Sequence, residues 1–176
     1  MDGQNWLELM NSQQLLKQVK KTNQYTEEFG LTLSEKDAEL LLAEKNRILK
    51  SEQRIEFGSS ILPQMIYIFC DSSFISQNNY VESLIRLQEI FYMYKNETHD
   101  ELTDEELLNF MKEQFETVCY GDFAYLEGTC LDIFSQAVRA GYRGYERTQG
   151  RNEFAKFDIV QRWDRELYLE ALKDLF

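Results

Sequence analysis

Apolar residues recur every three to four positions along almost the whole chain, the spacing that gathers them on one face of an α-helix. In "NWLELMNSQQLLKQVKKTNQYTEEFG" the series is Trp6, Leu9, Leu16, Val19 and Phe29. Asn11-Ser12 predicts a break into a short and a longer helix. Gly30 predicts the stop, because glycine takes left-handed backbone angles without a Cβ clash. Ser34 followed by Glu35, Lys36 and Asp37 predicts the next start: the hydroxyl accepts from an open amide and the acids complement the positive helix end. That helix carries Ala38, Leu41, Leu42, Ile48, Leu49 and Ile55 and is expected to end at Gly58. Ser60 opens a third, with Pro63 tolerated in its first turn. Leu62, Met65, Ile66 and Phe69 form its face, and its body is apolar nearly all round, which predicts a central position.

Asn79-x-x-Glu82 has capping-box spacing and precedes Val81, Leu84, Leu87, Phe91 and Tyr94. Thr103-Asp104-Glu105-Glu106 is a stronger start signal, since the threonine can accept from the Glu106 amide while the Glu106 carboxylate reaches back. Leu107, Leu108, Met111, Phe115 and Val118 follow, and Gly121 stops the run. Asp122 caps a further helix faced by Phe123, Leu126, Cys130, Phe134, Ala137 and Val138. The final segment repeats the pattern with Phe157, Val160, Trp163, Leu167, Ala171 and Leu175. Only "FGLTL" (29–33) reads as a brief extended piece. The expectation is an all-α protein: a helical bundle of about six helices over residues 1–140, a linker over 141–153 and an amphipathic C-terminal helix over 154–176. No solenoid period is present.

Composition narrows the class. With 176 residues, 43% apolar and 14% aromatic, the chain can bury a core without disulfides or metal. The net charge of −12 argues against a general nucleic-acid or anionic-membrane binder, which needs a positive field. The charge is uneven. Residues 1–138 carry a net −13 and residues 139–176 a net +1, and six of the nine arginines lie in the latter. "MDGQNWLELM" has neither a basic nor an apolar leader region, and the longest apolar run, "MIYIFC" (65–70), is far short of the ~20 residues of a membrane span. With three cysteines and no export signal, a reduced, cytoplasmic setting is expected.

Linear motifs give little chemistry. His99, the only histidine, sits in the acidic "ETHDELTDEE", but no window has the central glycine of a calcium loop, and one histidine cannot serve a di-metal bundle. The expectation is a solvated loop leading into an acidic first turn, with no metal and no cofactor. Cys119 and Cys130 flank a turn without zinc-ligand or C-x-x-C spacing, and read, like Cys70, as buried thiols on apolar faces. Phosphate-loop and nucleophile-elbow patterns are absent, so no catalytic residue is assigned. In "IFYMY" (90–94), Phe91 and Tyr94 fall on one face and Tyr92 away from it. Phe91, Tyr92 and Tyr94, with Trp163, Leu167 and Tyr168 on the last helix, are the candidate partner-binding residues, because aromatics are enriched at interfaces. Arg139, Arg143, Arg147 and Arg151 are spaced by four and form a weak candidate anion site. Gly141, Gly144 and Gly150 interrupt that stripe, so a helix end with charge pairing is the expected role.

"LMNSQQLLKQVKKTNQYTEEFGLTLS", "ILPQMIYIFCDSSFISQNNYVESLIRLQEIFYMYKNE" and "LTDEELLNFMKEQFETVCYGDFAYLEGTCLDIFSQAVRAGYRGY" resemble an uncharacterised bacterial family, a domain of unknown function, over roughly residues 7–145. The resemblance implies a bacterial cytosolic helical protein and carries over no activity. The leading expectation is a non-enzymatic interaction or regulatory protein that binds a protein partner or itself, without a membrane. Nucleic-acid or polyanion binding through residues 139–165, and an enzyme with a pocket inside the bundle, are the alternatives.

Overall fold

A computed structural model describes residues 3–56 and 60–141, with side chains described from Met10 onward. All regular structure among the described residues is helical. In chain order these are α1 (Gly3–Lys21), α2 (Asn23–Thr26), a 3-10 turn (Glu27–Phe29), α3 (Glu35–Ser51), α4 (Ile61–Phe69), a second 3-10 turn (Gln77–Asn79), α5 (Tyr80–Glu97), α6 (Asp104–Thr117), α7 (Phe123–Tyr125), a π turn (Leu126–Cys130) and α8 (Leu131–Arg139). Six of these helices have nine or more residues, so the described chain has the expected all-α fold of about six helices. The expected linker and C-terminal helix lie outside the described residues, as does Gly58. The chain divides into two compact units, Met1–Tyr92 and Met93–Phe176.

In the first unit α1 packs on α3 and α4. It runs unbroken through Asn11-Ser12, contrary to the expected break: Asn11, Ser12, Gln13 and Gln14 are all exposed, so their side chains need not compete with the helix backbone for hydrogen bonds. The interruption comes at Thr22, which is fully buried and whose hydroxyl donates back to the Val19 carbonyl at 2.5 Å. Such back-bonding competes with the helix and bends it. Gly30 then ends the 3-10 turn in the left-handed region, with φ 76°, and the Leu31 amide reaches back to the Thr26 carbonyl at 3.2 Å.

Residues 31–33 lie outside any helix, and Leu31 and Leu33 are buried while Thr32 is exposed, an alternation of period two. Side-chain amides take the place of a pairing strand. Asn23 donates to the Leu33 carbonyl and accepts from its amide, both at 2.8 Å. Gln77 does the same to Thr32 at 2.9 and 2.8 Å. Two amides thus satisfy four backbone groups that would otherwise lack partners.

Ser34 and Asp37 form the reciprocal cap of α3, at 3.1 and 3.0 Å. That helix stops at Ser51, short of the expected Gly58. Gln53 turns left-handed at φ 56°, and the Arg54 amide closes on the Leu49 carbonyl at 2.8 Å, so a Schellman end forms without glycine. Ile55, expected on the apolar face, lies beyond that end and is 75% exposed. Ser60 caps α4 as expected, and Ile61, Leu62, Met65, Ile66 and Phe69 are buried. The helix is not covered all round, since Tyr67 faces outward. Before α5 the cap lies one turn earlier than expected: the Asn79 side chain accepts from the Ser76 amide at 2.8 Å and donates to the Phe74 carbonyl at 3.2 Å, so Asn79 is inside the turn rather than at its edge.

In the second unit Thr103 and Glu106 make the expected capping box of α6, at 3.1 and 3.4 Å. Its apolar face, Leu107, Leu108, Phe110, Met111 and Phe115, is buried, and Phe110 stacks on Phe134 with ring centroids 3.8 Å apart. Asp122 caps α7 by accepting from Ala124 and Tyr125 at 2.9 and 3.2 Å. The expected continuous helix after Asp122 is broken by the π turn, then resumes as α8 with Leu131, Phe134, Ala137 and Val138 inside. It ends at Arg139, and Gly141 takes φ 98°.

Candidate functional site

The exposed aromatic group of the first unit is set by the corner after α1. Thr22 and Thr26 are fully buried, and the Thr26 hydroxyl donates to the Leu31 carbonyl at 2.8 Å. Fixing these two inward turns the opposite side of the corner outward, with Tyr25 and Phe29 four apart on it. Tyr67 reaches the same place from α4. Its ring lies edge-on to Tyr25, centroids 5.3 Å apart, and Tyr25 lies 5.9 Å from Phe29. The three are 49%, 41% and 46% exposed. Phe29, expected in the core, belongs to this surface, because the 3-10 turn rotates it off the α1 face. Exposed Glu27 and Glu28 sit beside it on the same turn. Contiguous exposed aromatics with a polar rim are the usual make-up of a protein-binding surface.

The aromatics singled out in the sequence lie elsewhere. Phe91, Tyr92 and Tyr94 are 1%, 3% and 4% exposed, so they form interior packing rather than a surface. Tyr92 does not point away into solvent as the helical spacing suggested. Its hydroxyl donates to the Glu56 carboxylate, which also pairs with Lys45 at 2.8 Å. Glu56 further accepts from the Ile61 amide at 3.4 Å, so one carboxylate ties α3, α5 and the start of α4 together. The Tyr94 hydroxyl donates to the Glu127 carbonyl in the π turn. Burial first, and then the carboxylates of Asp132, Glu127 and Glu97, hold Tyr94 above its ordinary value. Trp163, Leu167 and Tyr168 lie outside the described residues.

The acidic loop is organised by a residue that sequence reading passed over. Lys95, buried on α5, donates to the Leu102 carbonyl at 2.6 Å and pairs with Asp104 at 2.9 Å and Asp100 at 3.8 Å. Its ammonium supplies the positive charge that these carboxylates surround. His99 and Asp100 are both left-handed and exposed and form the helix end, and of the two only Asp100 has an ion pair with Lys95. No group of three or more His, Cys, Asp or Glu is placed to hold a metal ion among the described residues. A lone lysine within a run of acids was the legible signal.

Of the four spaced arginines, Arg139 occupies the last turn of α8 and pairs with Glu97 at 3.0 Å. Arg143, Arg147 and Arg151 lie outside the described residues. Cys70, Cys119 and Cys130 are buried free thiols, and the last two are in contact. No helix among the described residues is long and apolar enough to cross a membrane.

The helical architecture, the caps and the stop near Gly141 all fall within one sequence family. Residues 18–144 match a family of unknown function, DUF6323, and the chain belongs to it. No curated protein and no solved structure matches the chain.

Proposed function

We propose that this is a non-enzymatic, cytoplasmic interaction protein that binds a basic protein surface through Tyr25, Phe29 and Tyr67. The single observation that carries the reading is that Tyr25 contacts the rings of both Phe29 and Tyr67 while all three stay half-exposed. Rigid aromatics bury large area at small entropic cost, which is why they dominate binding energy at interfaces. The sign of the partner follows from charge. Glu27 and Glu28 rim the group, and the chain as a whole is −12. A basic partner is steered toward such a field and an acidic one, including a second copy of this chain, is repelled.

The test is capture from the source cell with the full chain and with Tyr25→Ser/Tyr67→Ser, followed by identification of what is retained. A basic protein retained by the parent, lost by the variant and released by rising salt supports the reading. Equal retention by both chains, or a parent that sediments as a dimer which the variant abolishes, overturns it.

A further inference from the structure

Cys119 and Cys130 are eleven residues apart in sequence, yet their sulfurs are 3.5 Å apart, in contact inside the second unit. Cys119 lies just beyond the end of α6, where its amide closes on the Gln114 carbonyl at 2.8 Å. The next two residues, Tyr120 and Gly121, are both left-handed, with φ 48° and 81°. Tyr120 pays for that conformation without a glycine's freedom, and its ring is 71% exposed. Cys130 closes the π turn, the wide irregular turn that interrupts the helix. Both partners therefore sit on irregular backbone rather than on straight helix, and a π turn holds one residue of slack that can be redistributed. The remaining approach, from contact to the ~2 Å of a bonded pair, is small.

We propose that Cys119 and Cys130 form a reversible dithiol–disulfide pair, oxidised by hydrogen peroxide and reduced by a small dithiol. Cys130 is the attacking sulfur. It belongs to the less buried of the two cysteines, and the contact with Cys119 lowers its pKa although burial opposes this. The Cys130 thiolate attacks one peroxide oxygen, the O–O bond breaks and the departing oxygen takes a proton to leave as water. The Cys119 sulfur then attacks the Cys130 sulfenic acid; the S–S bond forms, the S–O bond breaks and a second water leaves with the Cys119 proton. Each thiol loses one electron and one proton, and the peroxide gains both pairs to become two waters. A small neutral oxidant suits thiols that are 6% and 9% exposed. The bond would lock the turn that receives the Tyr94 hydroxyl. It is independent of the aromatic surface of the first unit.

The experiment treats the full, reduced chain with a few equivalents of hydrogen peroxide and counts free thiols after denaturation. The expected count falls from three to one, with Cys70 the thiol left. Proteolytic mapping then links the Cys119 and Cys130 peptides, Tm rises by several degrees because an unfolded-state loop is closed, and dithiothreitol reverses all three. In Cys119→Ala, a sulfenic acid is trapped at Cys130 by dimedone. An unchanged thiol count, a bond through Cys70 or between chains, oxygen addition that dithiothreitol cannot reverse, or a Cys130 inert to dimedone in the variant would each overturn the proposal.

Discussion

Two groups of aromatic side chains have nearly the same composition and opposite fates. Phe91, Tyr92 and Tyr94 are buried, while Tyr25, Phe29 and Tyr67 are open to solvent. The first group falls within four consecutive positions and is conspicuous; the second is scattered over forty-odd positions and inconspicuous. What separates them is the disposition of each hydroxyl and each helix face. Tyr92 and Tyr94 can enter the interior because Glu56 and the Glu127 carbonyl accept their hydroxyl protons. Tyr67 sits opposite Leu62, Met65, Ile66 and Phe69 on α4, and the buried side of that helix leaves it outside. Aromatic density along a chain therefore says less about a surface than the presence of buried acceptors does.

The contrast makes graded predictions. Phe91→Ala should remove about 3–5 kcal/mol of stability, as a large ring leaves a void in packed surroundings, measured by denaturant unfolding. A loss near that of a surface change would mean that the first group is not core. Gln88 is fully buried on the same helix, with neither amide atom hydrogen-bonded. Gln88→Leu should stabilise by about 1–2 kcal/mol, the penalty of a buried polar group without a partner; a loss instead would show that the amide is satisfied in solution.

Tyr94→Phe should cost about 1 kcal/mol at neutral pH, by removing the hydrogen bond that the Tyr94 hydroxyl donates to the Glu127 carbonyl. It should also change the alkaline limb. Burial raises Tyr80 above its ordinary 10.0, though the neighbouring Thr26 hydroxyl lowers it in part, and burial likewise raises Tyr94. A folded value above the unfolded one means that the unfolded chain releases its protons first. Stability from both tyrosines is then complete below pH 10 and lost as pH rises through the folded values. The phenylalanine variant should lose less over that range, so the two unfolding curves converge; parallel curves would contradict the buried hydroxyl. Tyr67→Ser should shift stability by no more than about 0.5 kcal/mol, the range of ordinary surface substitutions, and a larger loss in thermal unfolding would return Tyr67 to the core.

Much of the local structure was legible. The Ser34, Ser60, Thr103 and Asp122 caps, the stops at Gly30 and near Gly141, and the inward faces of α4 and α6 follow from single side chains acting on neighbouring backbone. Helix ends made without glycine were not legible. Gln53 and His99 both turn left-handed, a conformation open to these residues but rarely signalled by them. The π turn was hidden for the same reason: Leu126–Cys130 keeps the apolar spacing of a regular helix while its backbone does not.

The sequence by itself determined an acidic, all-helical chain, because capping and helical periodicity are local and act within a few residues. The tertiary structure alone decided which helix faces stay open, that Lys95 would answer the acids around His99, and that two thiols eleven positions apart would touch. These depend on where distant backbone comes to rest, and a side chain's chemistry is set by the neighbours it finds there rather than by those beside it in the chain.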